Sequence, residues 1–362
     1  MFILDSHCDT PSQIHRLRNI SLDNEYSHVD LPKLKKGGLD GVFFAIYVPG
    51  SLNEEDAYVY ANTLIDEVEE AIEQNSKFVV KTLSTYEAFD NQKNNKISIF
   101  LGLENGSAIG KSFELLKFFY NRGVRYITLC HSSHNLICDS CAPMQPLWGG
   151  LSPFGVNLIK EMNRLGMMID VSHVSDDSFY DILKFSNAPV VATHSCCRAI
   201  ANHSRNMTDD MILKLAERDG VVQINFYPVF LDDEFSKRLV ESGIEEKIEG
   251  VEQEFIQEPY NSQKRAAWHK LLDELNELER PSYKRIVDHI DHVVSLVGIN
   301  HVGLGSDFDG IAVTPKGMED ISCYPQILLE LDNRGYSKEE ISKIAGGNFL
   351  RVLRQIEEIK EV

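Results

Sequence analysis

His7 and Asp9 stand one residue apart, just beyond the apolar run Met1-Phe2-Ile3-Leu4. If that run is a buried strand, side-chain alternation sends His7 and Asp9 to the same side. An imidazole and a carboxylate placed this way can grip one divalent cation. Taken alone, the two residues read equally as a hydrogen-bonded pair that ends a strand. The same combination of residue type and position recurs, however. Further apolar, β-branched runs end in Glu104, His131, His173, His194 and Asp307. Each has an ordinary structural explanation by itself. His173 could cap a helix, His194 could be a core histidine bonded to backbone, and Glu104 could pair with an arginine. Gathered in one place they need a stronger explanation, because buried ionisable groups are costly unless paired or metal-bound.

Imidazole and carboxylate ligands suit zinc, and less strongly manganese, iron or cobalt. His7, Asp9, Glu104, His173 and His194 exceed what one catalytic zinc with an open position requires. Two ions about 3.5–4 Å apart, bridged by a carboxylate and a hydroxide, would use all five. The bridging carboxylate should come from the middle strand, which makes Glu104 the candidate. The remaining histidines (His15, His28, His134, His203, His269, His289, His292 and His301) fall mostly on helices or loops and are given no role.

The elements that must position these groups can be read from hydrophobic periodicity. Strands are expected at 2–5, 41–47, 97–103, 125–130, 167–171, 189–193, 220–226 and 301–306. Helical patterns lie between them, at 53–73, 112–121, 154–165, 175–185, 209–218 and 283–297, with a last long helix at 338–358. Alternating strands and helices predict right-handed βα units in a parallel sheet, and eight such strands close an α/β (β/α)8 TIM barrel. A doubly wound open sheet usually announces itself with a glycine-rich phosphate turn, and neither G-x-G-x-x-G after a strand nor G-x-x-x-x-G-K-[ST] occurs. In a barrel the strand C-termini form the active face, and six of the eight expected strands end there in His, Asp or Glu.

Two stretches interrupt the repeat. Residues 131–150 read as a long loop after the fourth strand. Residues 228–281 are charged and helix-prone, forming an insertion between strands 7 and 8 that reads as decoration, lid or subunit contact, with a homodimer one expectation. With no repeat, linker or low-complexity tail, residues 1–362 are expected to form a single barrel domain.

Composition is that of an ordinary globular protein, 43% hydrophobic and 25% charged. The net charge of −19 argues against a nucleic-acid partner. No apolar run reaches the ~18 residues that span a bilayer, so no membrane association is expected. A strand beginning at residue 2 leaves no room for a targeting sequence, and seven cysteines, an odd number, point to reduced thiols. The expected location is cytoplasmic. Cys138 and Cys141 form the only Cys-x-x-Cys and read as loop thiols.

These motifs carry a resemblance. Asp5-Ser-His-Cys-Asp-Thr10, Gly102-Leu-Glu-Asn-Gly106, Arg125 to His131, Ile169-Asp-Val-Ser-His173, Thr193-His-Ser through Arg205-Asn206, and Gly303-Leu-Gly-Ser-Asp-Phe-Asp-Gly310 occur in order across nearly the whole chain. In this the chain resembles the membrane dipeptidase (renal dipeptidase) family, peptidase family M19, among the amidohydrolase-type barrels. The resemblance implies a binuclear zinc enzyme cleaving dipeptides. His7 and Asp9 would hold one zinc, His173 and His194 the other, and Glu104 would bridge them. His131 would contact the substrate and the developing oxyanion, Arg205 would bind the C-terminal carboxylate, and Asp307 would handle the amino terminus and shuttle the proton. Asp309 could exchange roles with Asp307, although the strand-end position favours Asp307. Asn105 and Ser107 stand where mammalian relatives carry Gly and His, and the 228–281 stretch looks long for the family. Neither a signal peptide nor a C-terminal anchor signal is expected, so the membrane attachment of those relatives is not carried over.

The implied chemistry is coherent. Two metals lower the pKa of a bridging water and polarise the scissile carbonyl. Hydroxide attacks, and a carboxylate acts as general base and then acid. A cation at one end and a carboxylate at the other measure a short zwitterion, so a dipeptide fits better than a protein chain. The competing enzyme is a metal-dependent amidohydrolase acting on a lactam, lactone or N-acyl amino acid, for most of which Arg205 would have no use. A barrel that has lost catalysis and serves as a scaffold is disfavoured, since all five ligand candidates are present.

Overall fold

The computed structural model describes residues 1–258 and 260–361. Among them, nine parallel strands make one sheet: β1 Leu4–Cys8, β2 Gly41–Tyr47, β3 Val79–Lys81, β4 Ile97–Glu104, β5 Val124–Thr128, β6 Met168–Asp170, β7 Val191–Ser195, β8 Val221–Ile224 and β9 Val302–Leu304. The order β1-β2-β4-β5-β6-β7-β8-β9 is sequential, with β3 lying off the path against the start of β4. The sheet curls until its last strand returns to its first. The Asp307 N–H donates to the His7 carbonyl at 3.0 Å, and the Asp9 N–H to the Phe308 carbonyl at 2.8 Å. Eight parallel strands so joined, with helices between them, are a (β/α)8 barrel. Every expected strand has its counterpart. β3 was not anticipated, and β1 begins at Leu4 instead of Phe2.

Alternation along the strands builds two cores. Phe43, Phe100, Tyr126, Met168, Val191 and Val221 fill the lumen, where the Phe43 ring stacks 4.6 Å from Phe100 and 5.2 Å from Tyr126. Their neighbours Phe44, Ile99, Leu101, Ile127, Ala192 and Val222 face outward into the layer under the helices. Burial of each large side chain contributes roughly 1.5–3 kcal/mol. The helix Glu54–Gln74 shows the outer layer's logic. Asn53 caps it by accepting the Asp56 N–H, and Ala57, Ala61, Leu64, Ile65, Val68 and Ile72 form its buried stripe.

The expected final helix is instead broken. A helix Lys338–Ser342 leads into a wide turn, Lys343–Gly347, before the helix Asn348–Ile359. Gly346 leaves helical geometry there, and a Cβ on it would lie 2.7 Å from the Phe2 carbonyl oxygen and 2.9 Å from the Leu4 side chain. The break lets Phe349 plug the lumen edge-on to Phe43, at 5.2 Å.

Between β8 and β9, the 228–281 stretch carries helices Pro228–Leu231, Asp233–Ser242, Ile244–Gln257 and Ser262–Asn276, with Pro259 outside the described residues. They bury a satellite cluster of Phe235, Leu239, Ile248, Phe255, Trp268 and Leu272. The cluster is tied to segments leaving the strand C-termini. Glu245 accepts from the Tyr227 hydroxyl at 3.1 Å, and Glu252 from Arg16 at 2.8 Å. No helix among the described residues is long and apolar enough to cross a membrane.

Candidate metal centre

His7 reaches the lumen because β1 is not regular. From Asp5 to Cys8 it advances three residues while β2 advances two, from Val42 to Phe44. This bulge resets the side-chain phase. Leu4 belongs to the lumen cluster and Cys8 to the outer one, although unbroken alternation would put both on one face. With that phase change His7 turns inward.

There it meets residues from five other strand ends. Glu104, at the end of β4, sends its two oxygens in different directions. Oε2 lies 3.4 Å from His7 Nε2, while Oε1 lies 3.3 Å from His173 Nε2, 3.5 Å from His194 Nε2 and 3.8 Å from His131 Nε2. His173 and His194 bring their Nε2 atoms to 3.0 Å of each other. On the other side Asp9 Oδ2 lies 3.5 Å, and Asp307 Oδ1 4.0 Å, from His7 Nε2. Three donor triads fall within 4.8 Å: His7, Glu104 and His194; Glu104, His131 and His173; and His7, Asp9 and Asp307. By position alone His131 is as much a donor as the other imidazoles. His173 and Asp307 both sit in the left-handed region, at φ 68° and 65°, a conformation costing about 1–2 kcal/mol per residue.

The electrostatics fit a bound cation. Burial and the facing Glu104 push the Asp9 carboxyl up to about 6, and burial with Asp9 beside it raises Asp307. Burial pulls His7 down, but Glu104 and Asp9 outweigh it and hold its proton affinity well above the ordinary imidazole value. His173 and His194 lie well below theirs, driven first by burial and then by neighbouring positive groups. Buried carboxylates facing imidazoles, two of which burial keeps neutral, are a donor set that a divalent ion would satisfy. His7 Nε2 in addition is buried without a hydrogen-bond partner, as a ligating nitrogen would be.

Arg205 is not on the surface. Its guanidinium lies buried at the end of β7, donating to Ser195 Oγ at 2.8 Å and the His194 carbonyl at 2.7 Å, with Nε making no hydrogen bond among the described residues. Asp307 and Asp309 differ sharply. Asp307 Oδ2 accepts from Asn225 at 2.8 Å, leaving Oδ1 toward His7. Asp309 is committed elsewhere, to Arg18 at 2.7 Å, the Thr10 hydroxyl at 2.9 Å and the His28 N–H at 3.0 Å. His134, like most of the other histidines, is structural, its ring bonded to the Gln145 carbonyl and the Ser140 N–H.

Sequence reading overlooked the groups behind the ligand candidates. The Tyr126 hydroxyl is 2.8 Å from His7 Nδ1, and Thr193 Oγ1 is 2.8 Å from His194 Nδ1. Tyr126 has space because Gly102 lacks a side chain, since a Cβ there would stand 2.1 Å from the phenol ring. Behind Thr193 stands Asp170, which accepts its hydroxyl at 2.6 Å, and a carboxylate inside the apolar run Met167 to Val171 was its one available signal.

Known proteins share this architecture. The model of the membrane dipeptidase family (peptidase family M19) matches residues 1–362. Dipeptidase aclJ of Aspergillus oryzae is 33% identical over 356 residues, 96% of this chain and 74% of that protein. The uncharacterized dipeptidase C3A11.10c of Schizosaccharomyces pombe is 31% identical over 376 residues, 99% of this chain and 81% of that protein. Among solved structures, the probable dipeptidase PvdM from Pseudomonas aeruginosa matches with a TM-score of 0.82 at 25% identity, covering 99% of this chain and 96% of that one.

Proposed function

The chain belongs to the membrane dipeptidase family, peptidase family M19, and from that premise we propose how this metallo-dipeptidase divides its work among named residues. His7, Asp9, Glu104, His173 and His194 hold two divalent ions, zinc by ligand chemistry. The observation that carries this reading is the divergence of the Glu104 oxygens, one toward His7 and the other toward His173 and His194. The ions, when bound, supply the Lewis acidity that brings water ionisation near neutral pH and polarises a carbonyl.

The protein's own groups do the rest. Burial and the nearby Arg205 hold His131 down to about 4, so it is a neutral imidazole that can donate one N–H to the oxygen of the scissile carbonyl as charge develops there. Arg205 provides a desolvated positive charge for the substrate's C-terminal carboxylate, with Nε as its spare donor. Asp307, raised by burial and by Asp9, suits a group that takes a proton from water and passes it to the leaving amine. The engagement of Asp309 with Arg18 supports Asp307 over Asp309 for this role. The substrate's amino terminus lies against Asp307, so a free amine and a free carboxylate one dipeptide apart are both read.

The location follows as part of the same proposal. All seven cysteines are free, which supports a reducing, cytoplasmic setting, and a disulfide in the native protein would contradict it. The substrate class is tested by comparing free dipeptides with their C-terminal amides. The amides should be hydrolysed on the order of 10²-fold more slowly, the loss expected when one partner of a buried charge pair is removed. Equal rates, or hydrolysis confined to lactams or lactones, would overturn the assignment.

A further inference from the structure

Behind the ligand histidines lies a buried carboxylate that the proposed chemistry does not use. Asp170, at the end of β6, is fully enclosed, and among the described residues no lysine or arginine pairs with it. Four neutral donors surround it. Oδ1 accepts the Thr193 N–H at 2.9 Å and the Ser172 N–H at 3.0 Å. Oδ2 accepts the hydroxyls of Thr128 and Thr193, both at 2.6 Å. A charge kept in a lumen at this cost invites a role.

Hydrogen-bond direction supplies one. A carboxylate only accepts, so the Thr193 hydroxyl proton points at Asp170. Thr193 Oγ1 therefore meets His194 Nδ1, 2.8 Å away, with a lone pair. Nδ1 must carry the proton, and Nε2 is left bare toward Glu104 and His173. The same oxygen lies 3.5 Å from His7 Nδ1, so one hydroxyl faces ligand candidates on both sides of Glu104. We propose that Asp170, acting through Thr193, sets the tautomer of His194 and thereby makes it a metal ligand. Both are positioning residues, and the inference rests on the proposed ligand role of His194.

Asp170→Asn is the decisive variant because it preserves shape and reverses direction. Two backbone N–H groups claim the amide oxygen at the Oδ1 position, so the new NH2 faces the two hydroxyls. Thr193 must then accept, its own proton turns toward His194 Nδ1, and the imidazole proton moves to Nε2. Two-bond nitrogen–proton NMR correlations on metal-free protein read this tautomer directly, with His194 assigned by comparison with His194→Gln. Zinc affinity, measured by competition with a chromophoric chelator, should fall about 10- to 100-fold. Thr193→Val should lose a similar factor, and Thr193→Ser should retain wild-type affinity, a contrast that decides the matter even if Asp170→Asn does not fold. An unchanged His194 tautomer in Asp170→Asn, or equal zinc affinities for the Val and Ser variants, would overturn the proposal. A reversed tautomer with undiminished affinity would overturn it too, and would remove His194 from the ligand set. Wild-type protein that binds no zinc would instead be a failure of the metal-centre reading itself.

Discussion

The phenol of Tyr126 reaches Nδ1 of His7 at 2.8 Å, across the bare α-carbon of Gly102. Three strands cooperate in that contact: β5 supplies the hydroxyl, β1 the imidazole, and β4 the space between them. Tyr126→Phe should keep the barrel, cost about 1 kcal/mol for the lost hydrogen bond, and weaken metal retention about tenfold. Gly102→Ala should do more damage. Its Cβ would overlap the ring, and overpacking of this kind costs about 1–3 kcal/mol. Thermal denaturation with metal analysis checks both, and a Gly102→Ala protein with wild-type melting and metal content would show that the contact is dispensable.

Arg205 is the residue proposed to read the substrate's carboxylate without holding metal. Arg205→Ala should leave metal content intact and lower kcat/KM for free dipeptides by about 3 kcal/mol, on the order of 10²-fold. The same variant should be nearly indifferent to amidation of the substrate's C-terminus. If amidation costs mutant and wild type the same factor, the guanidinium does not read the carboxylate.

Asp139 governs the long loop after β5. Its carboxylate accepts the N–H groups of Leu147, Trp148, Gly149 and Gly150 at 2.7–3.2 Å. Burial pushes this carboxyl up, but the amides outweigh it and hold it below the ordinary aspartate value. A folded-state pKa depressed below the unfolded one gives stability that is present above about pH 4 and lost as pH falls through the folded value. Asp139→Asn should therefore cost about 1–3 kcal/mol at pH 7, and the gap to wild type should close toward pH 3. Urea denaturation at the two pH values measures it, and a gap independent of pH would contradict the role given to the charge.

Strands and ligand candidates were legible for the same reason. Buried parallel strands are continuous apolar runs, and a His or Glu ending such a run stands out in one dimension. Arg205 was reached through the resemblance and not through its local pattern, because only the folded βα loop shows that it is buried. The bulge that turns His7 inward leaves no mark on alternation, which places His7 and Asp9 together in either phase. Tyr126 and Thr193 were hidden by being ordinary strand formers, whose hydroxyls acquire a function only from what lies across the lumen. β3 has three residues and no period to read. The break at Gly346 depends on how closely Phe2 and Leu4 approach, which no local pattern records.

The central claim is a binuclear centre arranged around Glu104. A crystal structure of metal-replete protein, with anomalous scattering recorded at the zinc edge, tests it most directly. Two peaks per chain are expected, one beside His7 and Asp9 and one beside His173 and His194, with a Glu104 oxygen on each. A single peak, or a Glu104 side chain turned away from both, would contradict it.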